Sequence, residues 1–347
     1  MHPRKIVFSS LFTASAAILL LAQVPALGQQ APATASSKKA WTPGRTPDGD
    51  PDITGVYDAR TATPVERPKE LGAKEFYTDQ EFKEVSDRLH KGDPTAPGVR
   101  VANFGEGGGG GDRVNVQYEH DLFGYDVTKS NYVATKRTSL IVGPEGTIPT
   151  MLPEARQRNA ARNAYIRAHE TDRVQNLNLE TRCILSNRQL IPLFPIEDSN
   201  THIQIVQGKG YVAIYQELNH DVRVIPTDGR PHLAKEIRQY QGDSVGHWEG
   251  NTLVVDTTNF TDQTAFRGST ENLHLVERYT RVSPDMLIYR FTVEDPHTWD
   301  KPWTVEVPWM TAKGPLYEYA CTEGNESLGL ILGAARVKEA AAAKTAK

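Results

Sequence analysis

The chain reads as a mainly β protein: an antiparallel meander that closes into a barrel or a sandwich, carrying two short helical insertions. Three observations predict this. From residue 183 onward, short β-type runs follow one another, separated by turn clusters such as Gly208-Lys209-Gly210, Thr227-Asp228-Gly229 and Glu249-Gly250-Asn251. Several runs alternate cleanly, with Leu287, Tyr289, Phe291 and Val293 on one face and Arg290, Thr292 and Glu294 on the other. Strands do not alternate with crossover helices, which excludes the doubly wound nucleotide-binding folds.

Taken from the start, Arg4 and Lys5 precede an apolar run from Ile6 to Ala22, and Val24 to Gly28 supplies small residues at the positions before a cleavage point. This is the layout of a signal peptide over 1–28, so the protein is expected in the periplasm or outside the cell. The apolar run is short and interrupted by Ser9, Ser10, Thr13 and Ser15, which argues against a retained membrane anchor. A flexible leader is expected over 29–50, one β domain over 51–336 and a flexible tail over 337–347. The rival division is a small N-terminal β unit (53–150) packed on a larger one.

Pro51 to Tyr57 reads as a turn entering a first strand. Thr78-x-x-Glu81 is a capping box, and Phe82, Val85 and Leu89 recur at helical spacing, so a helix is expected near 79–91. Gly92 to Gly111 is a loop; its five consecutive glycines (Gly107 to Gly111) lack a following Lys-Ser/Thr and are no phosphate cradle. Strand signals resume at Val114-Asn115-Val116, and a hairpin is expected at Gly143-Pro144-Glu145-Gly146. Pro153 opens a second helix, to about 170, whose arginines make a solvated face. Later runs expected as strands include Tyr211–Leu218, Glu236–Tyr240, Leu273–Val282, Met286–Glu294, Thr304–Trp309 and Tyr317–Cys321.

A net charge of −4 gives no electrostatic reason to bind nucleic acid or anionic lipid. The two cysteines, Cys183 and Cys321, are a candidate disulfide in an oxidising compartment. Ten histidines raise the question of metal, but no H-E-x-x-H or H-x-H spacing occurs, and no metal or other cofactor is expected.

The densest chemistry is Glu217-Leu218-Asn219-His220-Asp221-Val222-Arg223. His220 is the candidate base, Asp221 or Glu217 its orienting partner, and Arg223 a clamp for an oxyanion. A hairpin tip with a surface histidine is the plainer reading of the same residues. Second-rank candidates for substrate contact are His247, Trp248, His274, Glu277, Trp303 and Tyr319. Aromatic residues at strand spacing suit an apolar pocket, or plain core.

Gly242-Asp243-Ser244 through Trp248-Glu249-Gly250-Asn251-Thr252-Leu253-Val254-Val255-Asp256-Thr257-Thr258-Asn259-Phe260, and Tyr317 to Asn325, resemble a family of exported, mostly uncharacterised proteins of environmental bacteria. The resemblance covers about Pro51 to Arg336. It implies export and no particular activity. Where the family has His after Tyr-Ala-Cys, this chain has Thr322. Gly55-Val56-Tyr57 also resembles the Gly-x-aromatic opening of lipocalin-type barrels. The function expected from all this is a cofactor-independent lyase, isomerase or hydrolase working by acid–base catalysis on a hydrophobic or phenolic small molecule. The competing readings are a non-catalytic ligand-binding barrel and an envelope structural protein.

Overall fold

The computed structural model describes residues 41–91, 93, 133–185, 191–193, 202–264 and 266–345. The expected signal peptide, most of the expected leader, the glycine run and the strand signal at Val114–Val116 lie outside the described residues. The last part of that leader is ordered: Thr46 and Asp50 close a tight turn (2.9 Å), and Arg45 bridges to Pro51.

Nine strands form one antiparallel sheet. They are β1 (Gly55–Asp58), β2 (His202–Gly208), β3 (Tyr211–Gln216), β4 (Asp221–Pro226), β5 (Asp243–Glu249), β6 (Thr252–Thr258), β7 (His274–Ser283), β8 (Met286–Glu294) and β9 (Trp303–Thr311). Their order is β4-β3-β2-β1-β9-β8-β7-β6-β5. The short β1 pairs with β2 on one side and β9 on the other, so the chain's first and last strands are neighbours. The sheet curls into a nearly closed barrel, its two free edges, β4 and β5, lying side by side without a backbone ladder.

The pleat decides what fills this barrel. Residues of one parity point inward, and the buried set includes Ile205, Ile214, Ile225, Val255, Leu275, Tyr279, Tyr289, Phe291, Val307 and Trp309. Tyr57, Tyr279, Tyr289, Phe291 and Trp309 are all fully buried, and the Tyr289 ring lies 4.7 Å from Trp309, 4.9 Å from Tyr279 and 5.3 Å from Phe291. Of the aromatic residues at strand spacing, Tyr289, Trp303 and Trp309 are therefore core, whereas Tyr317 is exposed and Tyr319 half-buried. Trp303, expected to touch substrate, is 4% exposed and packs against Phe266 and Trp299.

Both expected helices form. In α1 (Asp79–His90) the Thr78 hydroxyl accepts from the Glu81 amide at 3.3 Å, and the Glu81 carboxylate accepts from the Thr78 amide at 2.8 Å. Helix α2 (Pro153–His169) has its proline in the first turn.

Four expectations need correction. The tail is a third helix, α3 (Ser327–Thr345), built on the strong helix formers of Lys338-Glu339-Ala340-Ala341-Ala342-Ala343. Glu236–Tyr240 is not a strand but part of a loop, in which Gln239 pairs with Phe260 as an isolated bridge. Tyr317–Cys321 is irregular, held by side chains described below. Gly143–Gly146 turns, but no hairpin follows, because the Arg67 guanidinium takes up the carbonyls of Gly143 and Pro144. One strand was missed: β5 carries Gly246 and runs into the Glu249-Gly250-Asn251 turn cluster.

Candidate functional site

A groove of about 810 Å³ opens along the seam between β4 and β5. Gly246 explains why the two edges approach yet do not pair: a Cβ there would stand 3.0 Å from Ile225 Cγ2 and 3.2 Å from Thr227 Cγ2. Ile225 of β4 and Thr227 just beyond it thus pack against bare β5 backbone at Gly246. One wall is the outer face of β4, where Val222 and Val224 are 53% and 59% exposed, with Ile184 and Leu185 beside them. The opposite wall is the 227–242 loop, which contributes Leu233, Arg238, Tyr240 and Gln241. That loop is anchored at its end by Gly242, whose φ of +69° and 2.5 Å approach of a notional Cβ to the Thr258 carbonyl leave room for no side chain.

At the deep end lies Asp221. Its carboxylate accepts from the Gln241 side-chain amide, and burial raises its pKa above the ordinary value, outweighing that hydrogen bond and the nearby Arg223. Gln241 Oε1 is buried and accepts no hydrogen bond.

Beneath the groove the barrel is closed by side chains instead of backbone. Arg223 is 6% exposed and points inward from β4. Its Nε donates to Ser244 Oγ on β5 at 3.0 Å, Nη2 to Thr257 Oγ1 on β6 at 3.0 Å, and Nη1 to Glu277 Oε1 on β7 at 3.0 Å, with a second bond from Nη2 to Glu277 Oε2. The hydroxyls of Tyr279 and Tyr289 donate to the same Glu277 Oε1 at 3.0 and 2.7 Å, and Tyr289 in turn accepts from the Leu193 amide at 3.1 Å. Burial would raise the Glu277 carboxyl, but Arg223 and the two tyrosines hold it below the ordinary value, so the pair stays charged. Burial drives both tyrosines well above theirs.

On the outer face of the same strands, imidazoles and carboxylates alternate. His232 Nδ1 stands 2.8 Å from Asp243 and its Nε2 3.0 Å from Asp256; His274 Nε2 stands 2.8 Å from the other oxygen of Asp256, and its Nδ1 3.4 Å from Glu294. The Leu233 amide also donates to Asp243 at 2.9 Å, so this chain ties the loop wall of the groove to β5 and β6. Asp256 and His274 support each other, the acid shifted down and the base up, each chiefly by their mutual hydrogen bond.

The candidate residues of the Glu217–Arg223 segment turn to separate partners. A 3-10 turn over Leu218–His220 joins β3 to β4, as in the hairpin-tip reading, with Asn219 and His220 both at positive φ. Glu217 is buried; its carboxylate takes His202 Nδ1 at 3.0 Å and the Tyr317 amide at 2.9 Å. Burial pushes it up, and those hydrogen bonds carry it below the ordinary value. His220 is exposed, stacks on Tyr215, and accepts from the Tyr319 amide at 3.3 Å. Glu217 and His220 thus dock the 317–319 segment, and the Cys183–Cys321 disulfide ties the chain just beyond it. Asp221 faces the groove, while Arg223 spends its N–H groups on the interior and has no fork left for an oxyanion. His247 is exposed beside Glu249, Trp248 packs at the core margin, and Tyr319 is half-buried. Among the described residues, no cluster of three or more His, Cys, Asp or Glu side chains is arranged to hold a metal ion.

Sequence reading singled out neither Gln241 nor Asp256, and counted His232 only among the ten histidines. Their signal lies in the pleat: Asp243 and Asp256 alternate with the inward Ser244 and Thr257 one residue away. No family model matches this chain, and no curated protein is similar to it.

Proposed function

We propose that the protein is an exported small-molecule-binding protein whose ligand lies in the β4/β5 seam groove, outside the barrel lumen. The observation that carries this reading is the wall of exposed Val222 and Val224 facing Leu233 across a cleft of about 810 Å³, over a lumen packed with aromatic rings. Small-molecule sites of this size combine an apolar surface with a few fixed polar groups, and here the polar end is Asp221 with Gln241. Export is supported by the layout of residues 1–28, by the disulfide, which persists in oxidising compartments, and by the resemblance of the Gly242–Phe260 segment to exported proteins.

Titration of the full chain with the neutral dye N-phenyl-1-naphthylamine, read by fluorescence, tests it. Val224→Asp puts an unpaired charge on the aliphatic wall and is expected to weaken binding at least about tenfold. Phe291→Leu, a change in the lumen, is expected to lower stability and leave dye affinity alone. Equal affinity in Val224→Asp and the parent chain sinks the reading.

A second reading is favoured by one observation, the raised carboxyl of Asp221 on the groove wall: an acid–base enzyme of the lyase, isomerase or hydrolase type, with Asp221 as the proton-transferring group. Hydrolysis of 4-nitrophenyl acetate by the full chain and by Asp221→Asn separates the two. Turnover lost with the substitution supports catalysis; a background rate shared by both proteins leaves a binding protein.

A further inference from the structure

We infer that the polar end of the ligand is a cation, an ammonium head carried on an aliphatic or aromatic body and held by Asp221; this rests on the groove reading above. The argument is a comparison of the charges on the groove wall with the charges already answered.

Among the described residues, three guanidiniums reach the groove, and each has an acidic partner. Arg223 is committed to Glu277. Arg230 grips Asp228 with Nε at 2.9 Å and Nη2 at 2.6 Å. Arg238 gives Nη1 to the Phe260 and Glu271 carbonyls at 3.0 and 2.8 Å, with the Glu271 carboxylate 3.7 Å from its Nε. Each of the three thus has a carboxylate within ion-pair distance.

The two carboxylates differ. Asp243 faces His232 at 2.8 Å. Asp221 receives a side-chain hydrogen bond from the neutral amide of Gln241 and, among the described residues, no Lys, Arg or His nitrogen within ion-pair distance. A half-buried carboxylate whose side-chain donor is neutral has lost solvation, and the nearby Arg223, committed to Glu277, does not make up that loss, so burial leaves its pKa raised. A cation brought alongside supplies the missing charge in a site where water screens poorly.

The neighbourhood fits an ammonium in particular. Such a head has three N–H donors and no acceptor, and Gln241 Oε1, the second acceptor at that end, has no donor of its own. Val222 and Val224, on the outer face of β4, line the same groove as Asp221 and offer an apolar surface for the body of the ligand.

Calorimetric titration of the full chain at pH 7.5 with 4-phenylbutylamine, 4-phenylbutan-1-ol and 4-phenylbutyrate holds the body constant and changes only the head. The amine is expected to bind about tenfold tighter than the alcohol, and the carboxylate weakest. Asp221→Asn is expected to erase the amine's advantage while leaving the alcohol's affinity in place, and Asp221→Glu to restore part of it. Should Asp221→Asn fail to fold, the amine-to-alcohol ratio of the parent chain decides. Equal affinities for amine and alcohol, or a preference for the carboxylate, overturn the cation and leave the groove standing. So does failure of all three compounds while the naphthylamine dye still binds in a manner that depends on Val224. Loss of that Val224 dependence defeats the groove itself.

Discussion

Two polar networks cross the same strands on opposite sides of the sheet, and adjacent residues belong to different ones. Ser244 and Thr257 point inward to Arg223 and Glu277, while Asp243 and Asp256, one residue before each, point outward to His232 and His274. The side chains of Arg223 and Glu277 are 5% and 0% exposed; those of His232, Asp256 and His274 are 27%, 37% and 34% exposed. Similar residue types therefore do different work. Inside, the charges are cut off from water and must be matched bond for bond, so the network acts as a staple across the one place where the backbone ladder stops. Outside, water shares the charges, and the network titrates.

The sharpest way to break this comparison is to remove one inner partner. Glu277→Gln leaves Arg223 buried without its counter-charge, and the expected loss of stability is about 3–5 kcal/mol in a urea or thermal unfolding experiment. Arg223→Met does the same to Glu277. The double variant Arg223→Met with Glu277→Leu removes both charges and is expected to recover most of the loss, because a well-packed apolar pair has no unmatched charge to bury. If either single substitution costs no more than an ordinary surface change, about 0.5 kcal/mol, the inner network is no staple.

The sequence carried the fold further than the site, and the reason is periodicity. The alternation of Leu287, Tyr289, Phe291 and Val293 marks β8 because an inward face must be apolar at every second residue. The same rule conceals β5, whose inward positions are Ser244, Gly246 and the half-buried Trp248: a hydroxyl for Arg223, a gap for Ile225 and only one apolar side chain. Glu277 shares a strand face with Leu273 and Leu275, and a carboxylate on an apolar face needs a partner, yet the sequence marked it only as a candidate substrate contact. Its partner, Arg223, lies 54 residues away, and nothing local links them. His220 drew attention through its chemical type, yet it sits in an exposed turn where its ring accepts one backbone N–H. Residue identity alone does not report solvent access, and solvent access separates a catalytic histidine from a docking one.

An intermediate test addresses the link between the outer network and the groove. His232→Ala removes the ring that bridges Asp243 and Asp256, leaving the loop wall held by backbone bonds such as Gln239 to Asn259 at 2.9 Å and by Arg238. The expected global cost is about 1 kcal/mol, with a larger local effect: faster amide hydrogen exchange for residues 232–241 than for β6 or β7. Uniform acceleration across the barrel would mean that the bridge supports the whole sheet and not its wall.

The smallest expected effect is the pH response of the Asp256–His274 contact, and its sign follows from the two shifts. His274 is raised above its ordinary 6.5, so its contribution is complete below that value and fades as pH rises through the folded-state pKa. Asp256 is lowered below 3.8, so its contribution is complete above that value and fades as pH falls through its own folded-state pKa. The contact is thus strongest between the two, in mildly acid solution. His232, Asp243 and Glu294 face the same pair. Both side chains are about a third exposed, so screening holds the whole effect below about 1 kcal/mol. Unfolding midpoints of the parent chain and of His274→Gln, compared between pH 5 and pH 9, isolate it. The parent is expected to lose its advantage as the pH climbs, whereas the inner pair, buried and held in its charged form, contributes no such slope. A gap between the two proteins that stays constant across that range would place His274 with the packing residues and reduce the outer network to geometry.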